Sequence, residues 1–121
     1  MSEPARQLLV VDDDQAIRTF VGELLTDEGY EVRAVANGRQ ALGVLATWRP
    51  AVILLDLMMP EMDGWTFLAA QQTDAELVRI PVIVMSASYH LQGGADHLAA
   101  ADVLAKPFVI EQLLSKVEAL A

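Results

Sequence analysis

The sequence contains no cysteine. That excludes disulfides, thiolate metal centres and thiol catalysis. Positive charge is scarce: eight Lys and Arg stand against 17 Asp and Glu, a net charge of −9. Sequence-independent nucleic-acid binding needs a basic face, which this composition does not supply. The acidic balance suits cation binding and solubility instead. No apolar run reaches the length of a membrane span, and Met1-Ser2-Glu3-Pro4 is not a signal peptide. A cytoplasmic protein without nucleic-acid or membrane partners is the expectation. Internal repeats, low-complexity tracts and linkers are also missing. What is present is a chain of 121 residues, 54% of them apolar, which is enough for one domain with a real core.

Five short apolar runs alternate with helical spacing. Residues 1 to 6 read as a short tail. Gln7 to Val11 is a compact apolar run that ends in Asp12, Asp13 and Asp14. A continuous apolar run suits a strand buried on both faces. Ile17, Phe20, Val21, Leu24 and Leu25 then share one helical face, with Asp14 as N-cap and Gly29 as stop. Tyr30 to Val35 alternates apolar and polar residues, as a strand nearer a sheet edge does. Asn37-Gly38 opens a second helix, with Ala41, Leu42 and Leu45 inward and Arg49-Pro50 as its end.

The third run, Ala51 to Asp56, is the most apolar, and its carboxylate belongs at its end. Leu57 to Gly64 reads as a loop, followed by a helix over Trp65 to Gln72. Pro81 to Met85 is a fourth strand, ending at Ser86-Ala87-Ser88. Gly93-Gly94 splits the next stretch, leaving a short helix around Ala95 to Ala100. Val103 to Ala105 is a fifth strand, ending at Lys106-Pro107. Ile110, Leu113, Leu114 and Val117 mark a last amphipathic helix. Trp48 and Trp65 are expected to pack at helix ends, and His90 and His97 to face solvent.

Strand followed by helix, five times over, means a parallel sheet with helices on both faces. Placing the most apolar strands centrally gives the α/β flavodoxin-like (βα)5 order 2-1-3-4-5, with a ligand crevice between strands 1 and 3. All carboxyl ends of a parallel sheet share one edge. That edge collects Asp12, Asp13, Asp56, Ser86 and Lys106. Two carboxylates about 4 Å apart repel by roughly 4 kcal/mol at an effective dielectric of about 20. A divalent cation relieves this, and an all-oxygen site suits Mg²⁺ or Mn²⁺. Asp56 beside such an ion could act as a nucleophile toward a phosphoryl group. Mg²⁺, the Lys106 ammonium and the Ser86 hydroxyl would then each meet one phosphoryl oxygen.

These residues resemble the receiver domain of two-component response regulators. The matching elements are Val-Val-Asp-Asp-Asp at 10 to 14, Leu-Leu-Asp-Leu-Met-Met-Pro-Glu-Met-Asp-Gly at 54 to 64, Val-Met-Ser-Ala at 84 to 87, and Lys-Pro-Phe at 106 to 108. The match covers residues 7 to 121, leaving no room for an output domain and suggesting a stand-alone regulator or phosphorelay intermediate, with a receiver fragment of a longer multidomain regulator as the alternative. The resemblance implies Asp56 as phosphoacceptor and Asp13 as a direct Mg²⁺ ligand. It implies Asp12 as a ligand acting largely through water and the Met58 backbone carbonyl as a further ligand. It also implies Ser86 and Lys106 as phosphoryl contacts. Ala87, Pro107 and Gly64 would support the site, Pro107 through a cis peptide bond and Gly64 through the turn out of the loop. Met58 and Ser88 would flank the phosphoryl group. A histidine kinase or histidine phosphotransferase would donate it, docking near Gln15 and exposed Arg18. A downstream protein would read the result, and the domain would be a monomer or weak dimer rather than an enzyme.

The chain also departs from the family pattern. Val103 stands where many receivers carry the Tyr or Phe that turns inward on activation. Residues 91 to 101 are rich in Gly and Ala where charges are usual, and Val109 replaces an acidic helix cap. Three further readings fit the residues less well. An aspartyl-nucleophile phosphatase needs Asp-x-Asp-x-Thr, but Ala16 occupies the Thr position after Asp12 and Asp14. A flavin or nucleotide module needs a Gly-rich loop after the first strand, and here that loop is acidic. A receiver-like scaffold that is never phosphorylated would not need all five site residues.

Overall fold

The computed structural model describes residues 6–121, apart from the side chains of Ser88, Tyr89, Asp96 and His97. The expected tail therefore lies outside the described residues but for Arg6, as do the expectations for the side chains of Ser88 and His97. The elements are β1 (Gln7–Val11), α1 (Gln15–Asp27), β2 (Glu31–Val35), α2 (Gly38–Leu45), β3 (Val52–Asp56), α3 (Gly64–Gln72), β4 (Val82–Ala87), α4 (Gly94–His97), β5 (Asp102–Lys106) and α5 (Ile110–Leu120). Two 3-10 turns, Leu77–Arg79 and Ser88–Leu91, flank β4.

The strands form one sheet in the order β2-β1-β3-β4-β5, and every pairing is parallel. Residues of β3 are buried throughout, whereas β2 has exposed positions at the edge. Alternation of side chains splits the core in two. Leu9, Val11, Ile53, Leu55 and Val84 point into the layer under α2, α3 and α4. Leu8, Val10, Leu54, Ile83 and Met85 meet α1 and α5 on the other face. Each fully buried Leu, Ile or Val stabilises the fold by about 1.5–3 kcal/mol, so the central strands anchor both layers.

Local chemistry sets the helix starts. Asp14 caps α1 by accepting from the Ala16 and Ile17 amides, at 2.9 and 3.3 Å. Asn37 caps α2, accepting from the Gln40 amide at 2.9 Å, while the Gln40 side chain accepts from the Ala36 amide at 2.8 Å. Asp63 caps α3 through the Thr66 amide at 2.8 Å. Val109, as its apolar side chain implies, gives α5 no side-chain cap.

Several expectations need correction. Phe20 is 47% exposed, so the buried stripe of α1 narrows to Val21 and Leu25 with Ile17 and Leu24 beside them. Helix α2 ends at Leu45, before Arg49-Pro50, because the chain must turn earlier to bring Trp48 into the core. Trp48 does pack there, with the Arg33 guanidinium 4.4 Å from its ring centroid. Helix α4 is shorter than the stretch 95 to 100 and begins one residue earlier. The turn at Leu77–Arg79 was not legible as an element. Its amide ends are met by the Asp74 carboxylate, and Gln71 Nε2 donates to the Leu77 and Ile80 carbonyls at 2.8 and 3.0 Å.

Candidate functional site

The carboxyl edge of the sheet holds the site. Asp12 follows β1, Asp56 ends β3, Ser86 lies near the end of β4, and Lys106 ends β5. Parallel pairing sets Asp56 beside Met85 and Ala87 beside Lys106, so the four neighbouring strand ends deliver these groups together. Oxygen atoms of Asp12, Asp13 and Asp56 all lie within 4.8 Å of one another. Asp12 and Asp56 are buried, and Asp13 is exposed at the mouth.

Asp12 is tightly held. Its Oδ1 accepts from the Asp14 amide at 2.9 Å, and its Oδ2 accepts from Lys106 Nζ at 2.7 Å. Its backbone carbonyl accepts from Arg18 Nη1 at 2.8 Å. Arg18 is thus half-buried rather than exposed as expected, because the site itself recruits its guanidinium; Gln15 is exposed. Lys106 Nζ also stands 3.7 Å from Asp56 Oδ1. The Lys106–Pro107 peptide is cis.

Burial pushes the Asp56 carboxyl above its ordinary value, and the neighbouring charge of Asp12 adds to this, with a smaller push from Asp13. The Lys106 ammonium and a hydrogen bond from the Met58 amide oppose the rise. Burial wins because the carboxylate loses its water before the single ammonium can compensate it. The edge is therefore short of positive charge. Three carboxylates, with Asp13 open to water, form an all-oxygen donor set of the kind that hard divalent cations take.

Two glycines shape the loop between β3 and α3. A Cβ on Gly64 would lie 2.6 Å from the Asp56 carbonyl oxygen and 2.7 Å from Leu57 Cα. The Gly64 amide donates to the Leu57 carbonyl at 2.9 Å. Close approach, rather than an unusual backbone angle, is what demands glycine here. Gly38 does the same from the opposite side: its amide donates to the Met62 carbonyl at 2.9 Å, and a Cβ would lie 2.9 Å from that oxygen. This second clamp was missed in the sequence. Its signal was present, since Asn37-Gly38 and Asp63-Gly64 are the same pattern of cap followed by glycine.

The remaining expected positions fall around this centre. Met58 lies in the loop with its side chain 53% exposed. Ala87 is the last residue of β4. Val103 is half-buried in β5 and packs against the layer beneath α3. Ser86 is 2% exposed, and its Oγ lies 3.1 Å from His90 Nδ1. His90 is half-buried, not solvent-facing as expected, because the turn after β4 folds it back onto the edge. Trp65 meets it edge to face, with ring centroids 5.6 Å apart. Asp14, by contrast, is spent on capping α1, which removes it from the acidic cluster and leaves the Asp12/Asp14 phosphatase pattern without its second carboxylate.

No helix of the described residues is long and apolar enough to cross a membrane. Known proteins carry the same frame. The chemotaxis response regulator CheY4 of Vibrio cholerae superposes with a TM-score of 0.85 at 32% identity, covering 97% of this chain and 99% of that one. The receiver domain of the sensor histidine kinase PA1611 of Pseudomonas aeruginosa, solved with a magnesium ion coordinated in its active-site cleft, gives 0.86 at 28% identity over 96% and 97% of the two chains. The response regulator MprA of Mycolicibacterium vanbaalenii is 36% identical over 94% of this chain and 49% of its own length. The chain thus spans about half the length of the curated relatives it matches. With the family model for the response regulator receiver domain matching residues 8–118, the chain belongs to the receiver-domain family of two-component response regulators, the signalling domains of phosphorelays.

Proposed function

We propose that Asp56 is the phosphoacceptor of this receiver domain, within a receiver unit spanning residues 7 to 121. The observation that carries this reading is the setting of its carboxylate. It is 5% exposed, ends the central strand, clusters with Asp12 and Asp13, and lies 3.7 Å from the Lys106 ammonium. A carboxylate oxygen of Asp56 attacks the phosphorus of a phosphohistidine on a histidine kinase or phosphotransferase. A P–O bond forms as the P–N bond breaks, and the imidazole leaves with the electron pair. Lys106 is close enough to turn its ammonium from Asp12 to a phosphoryl oxygen. The Ser86 hydroxyl donates to a second oxygen.

Mg²⁺ fits the donor set, with Mn²⁺ as an alternative. Asp13 and Asp56 would hold it directly, Asp12 largely through water, and the Met58 backbone carbonyl would add a further oxygen. When bound, the ion neutralises charge building on the phosphoryl oxygens. Gln15 lies exposed at the start of α1 beside the acidic edge, where a phosphodonor protein must approach. The product is an aspartyl phosphate that alters a partner-binding surface. The domain acts as a signalling acceptor rather than as an enzyme on a separate substrate.

The test is phosphate uptake from a small acyl-phosphate donor with Mg²⁺, read by intact-protein mass. The wild type and Asp14→Asn should gain one phosphate, since Asn also caps a helix. Asp56→Asn should gain none. An adduct retained in Asp56→Asn, or formed equally with chelator present, would overturn the assignment.

A further inference from the structure

We propose that His90 is a positioning residue for the Ser86 hydroxyl, and that it couples the state of Asp56 to Trp65. The inference rests on the phosphoacceptor reading above.

Ser86 is buried, so its single hydroxyl proton needs an acceptor within the protein. With the ring proton on Nε2, His90 offers Nδ1 as that acceptor, 3.1 Å from the hydroxyl oxygen. Ser86 is one residue past Met85, the register partner of Asp56, so the same hydroxyl lies on the strand adjoining the carboxylate. A phosphoryl group on Asp56 brings anionic oxygens to that edge. Charge-assisted hydrogen bonds are roughly twice as strong as neutral ones, so the hydroxyl proton goes to a phosphoryl oxygen in preference to an imidazole. One proton cannot serve both acceptors. Phosphorylation therefore breaks the Ser86–His90 hydrogen bond.

His90 then loses a contact that orients its ring. Trp65 holds the same ring from another side, meeting it edge to face at an interplanar angle of 89°. Such pairs depend on ring orientation, so a turn of the imidazole is felt by the indole. Trp65 is 40% exposed and also lines a groove of about 220 Å³ between α3 and α4, with Leu68 and Leu98. The hydroxyl, imidazole and indole thus form a continuous path from the site to the surface. That path lies on the α3 side of the sheet and does not pass through the side chain of Val103. It supplies a route by which a domain with valine in β5 can signal.

The experiment uses two-dimensional NMR of the tryptophan indole N–H groups, with and without Mg²⁺ and the acyl phosphate, alongside intact mass. Trp48 serves as an internal control, because it precedes β3 and sits at the opposite edge of the sheet. In the wild type the Trp65 indole signal should shift on phosphorylation while the Trp48 signal stays. His90→Phe keeps an aromatic edge for Trp65 but has no atom to bond Ser86. It should gain phosphate and lose most of the Trp65 shift. His90→Asn keeps an acceptor near the Nδ1 position but lacks the ring, and it too should lose the shift. A His90→Phe protein that gains phosphate and still shows the full Trp65 shift would overturn the coupling, because packing alone would then suffice. A wild type that gains phosphate without moving Trp65 would overturn it as well. A wild type that gains no phosphate would instead sink the phosphoacceptor reading, and the coupling with it.

Discussion

The two halves of the site edge are built differently. On the β1–β3 side Asp12 and the loop after Asp56 are each held from more than one direction. Asp12 is bonded through both carboxylate oxygens and its carbonyl, and Gly38 and Gly64 clamp the loop after Asp56 at van der Waals limits. On the β4–β5 side the chain between the strands makes only a 3-10 turn and a four-residue α4. The contacts there are looser: a 3.1 Å approach of Ser86 to His90 and a ring edge against Trp65. The contrast separates the two tasks of a phosphoacceptor. Chemistry needs fixed atoms, since misplacement by an ångström costs rate. A switch needs an element with two arrangements that differ by only a few kcal/mol. The structure puts rigidity beside the carboxylates and weakly tethered groups beside the groove that Trp65 lines.

The largest expected effect breaks the link between the halves. Lys106 crosses from β5 to Asp12, so Lys106→Met strands a buried carboxylate. In chelator, chemical denaturation should show a loss of about 3 kcal/mol, the range for a broken buried ion pair. Added Mg²⁺ should restore much of that loss. A variant as stable as the wild type in chelator would mean that the pair does not hold the two halves together.

Glycine substitutions sharpen the comparison. Gly64→Ala forces a Cβ into the backbone of Asp56 and Leu57, and should cost about 1–3 kcal/mol as overpacking. It should also slow phosphate uptake, because the displaced backbone carries Asp56. Gly94, with φ of 73° and nothing within 4 Å of where a Cβ would stand, is strained only through its backbone angle. Gly94→Ala should cost about 1 kcal/mol and leave uptake unchanged. Equal losses of uptake in the two variants would erase the distinction between the halves.

The smallest effect is one of pH. The Asp56 carboxyl is raised in the fold, first by burial and then by Asp12. Between its ordinary value of 3.8 and the raised one, the native state binds more protons than the unfolded state. The contribution to stability is therefore full below pH 3.8 and is lost as pH rises through the folded value. In chelator, Asp56→Asn should remove that decline and be more stable than the wild type at neutral pH. Urea melts at several pH values check this, and an unchanged pH slope would refute it.

Much of the architecture was legible because it follows from local rules. Val52 to Leu55 is a run that only a doubly buried strand can use, and such strands belong at the centre. The caps at Asp14 and Asn37 were equally readable, since a short polar side chain before a periodic stretch has one use. Phe20 misled because periodicity gives a face but not its width; only Val21 and Leu25 are buried, with Ile17 and Leu24 packed at the margin. His90 misled because a histidine in a Gly- and Ala-rich stretch carries no local sign of its partner. Gln71 was silent for the same reason, as the carbonyls it satisfies lie six and nine residues away across a turn.

By itself the sequence determined the alternation of strands and helices, the central strands, and the set of residues whose carboxylates, hydroxyl and ammonium share one edge. Periodicity and chain direction are local properties, and one edge follows from them once the sheet is parallel. Tertiary structure alone decided which groups touch. It gave Lys106 to Asp12 at 2.7 Å and only secondarily to Asp56 at 3.7 Å, and it drew Arg18 inward to the Asp12 carbonyl. It also folded His90 onto Ser86. Such pairings depend on loop paths and on competition among several acceptors within a few ångströms, and neither is written in the spacing of residues along the chain.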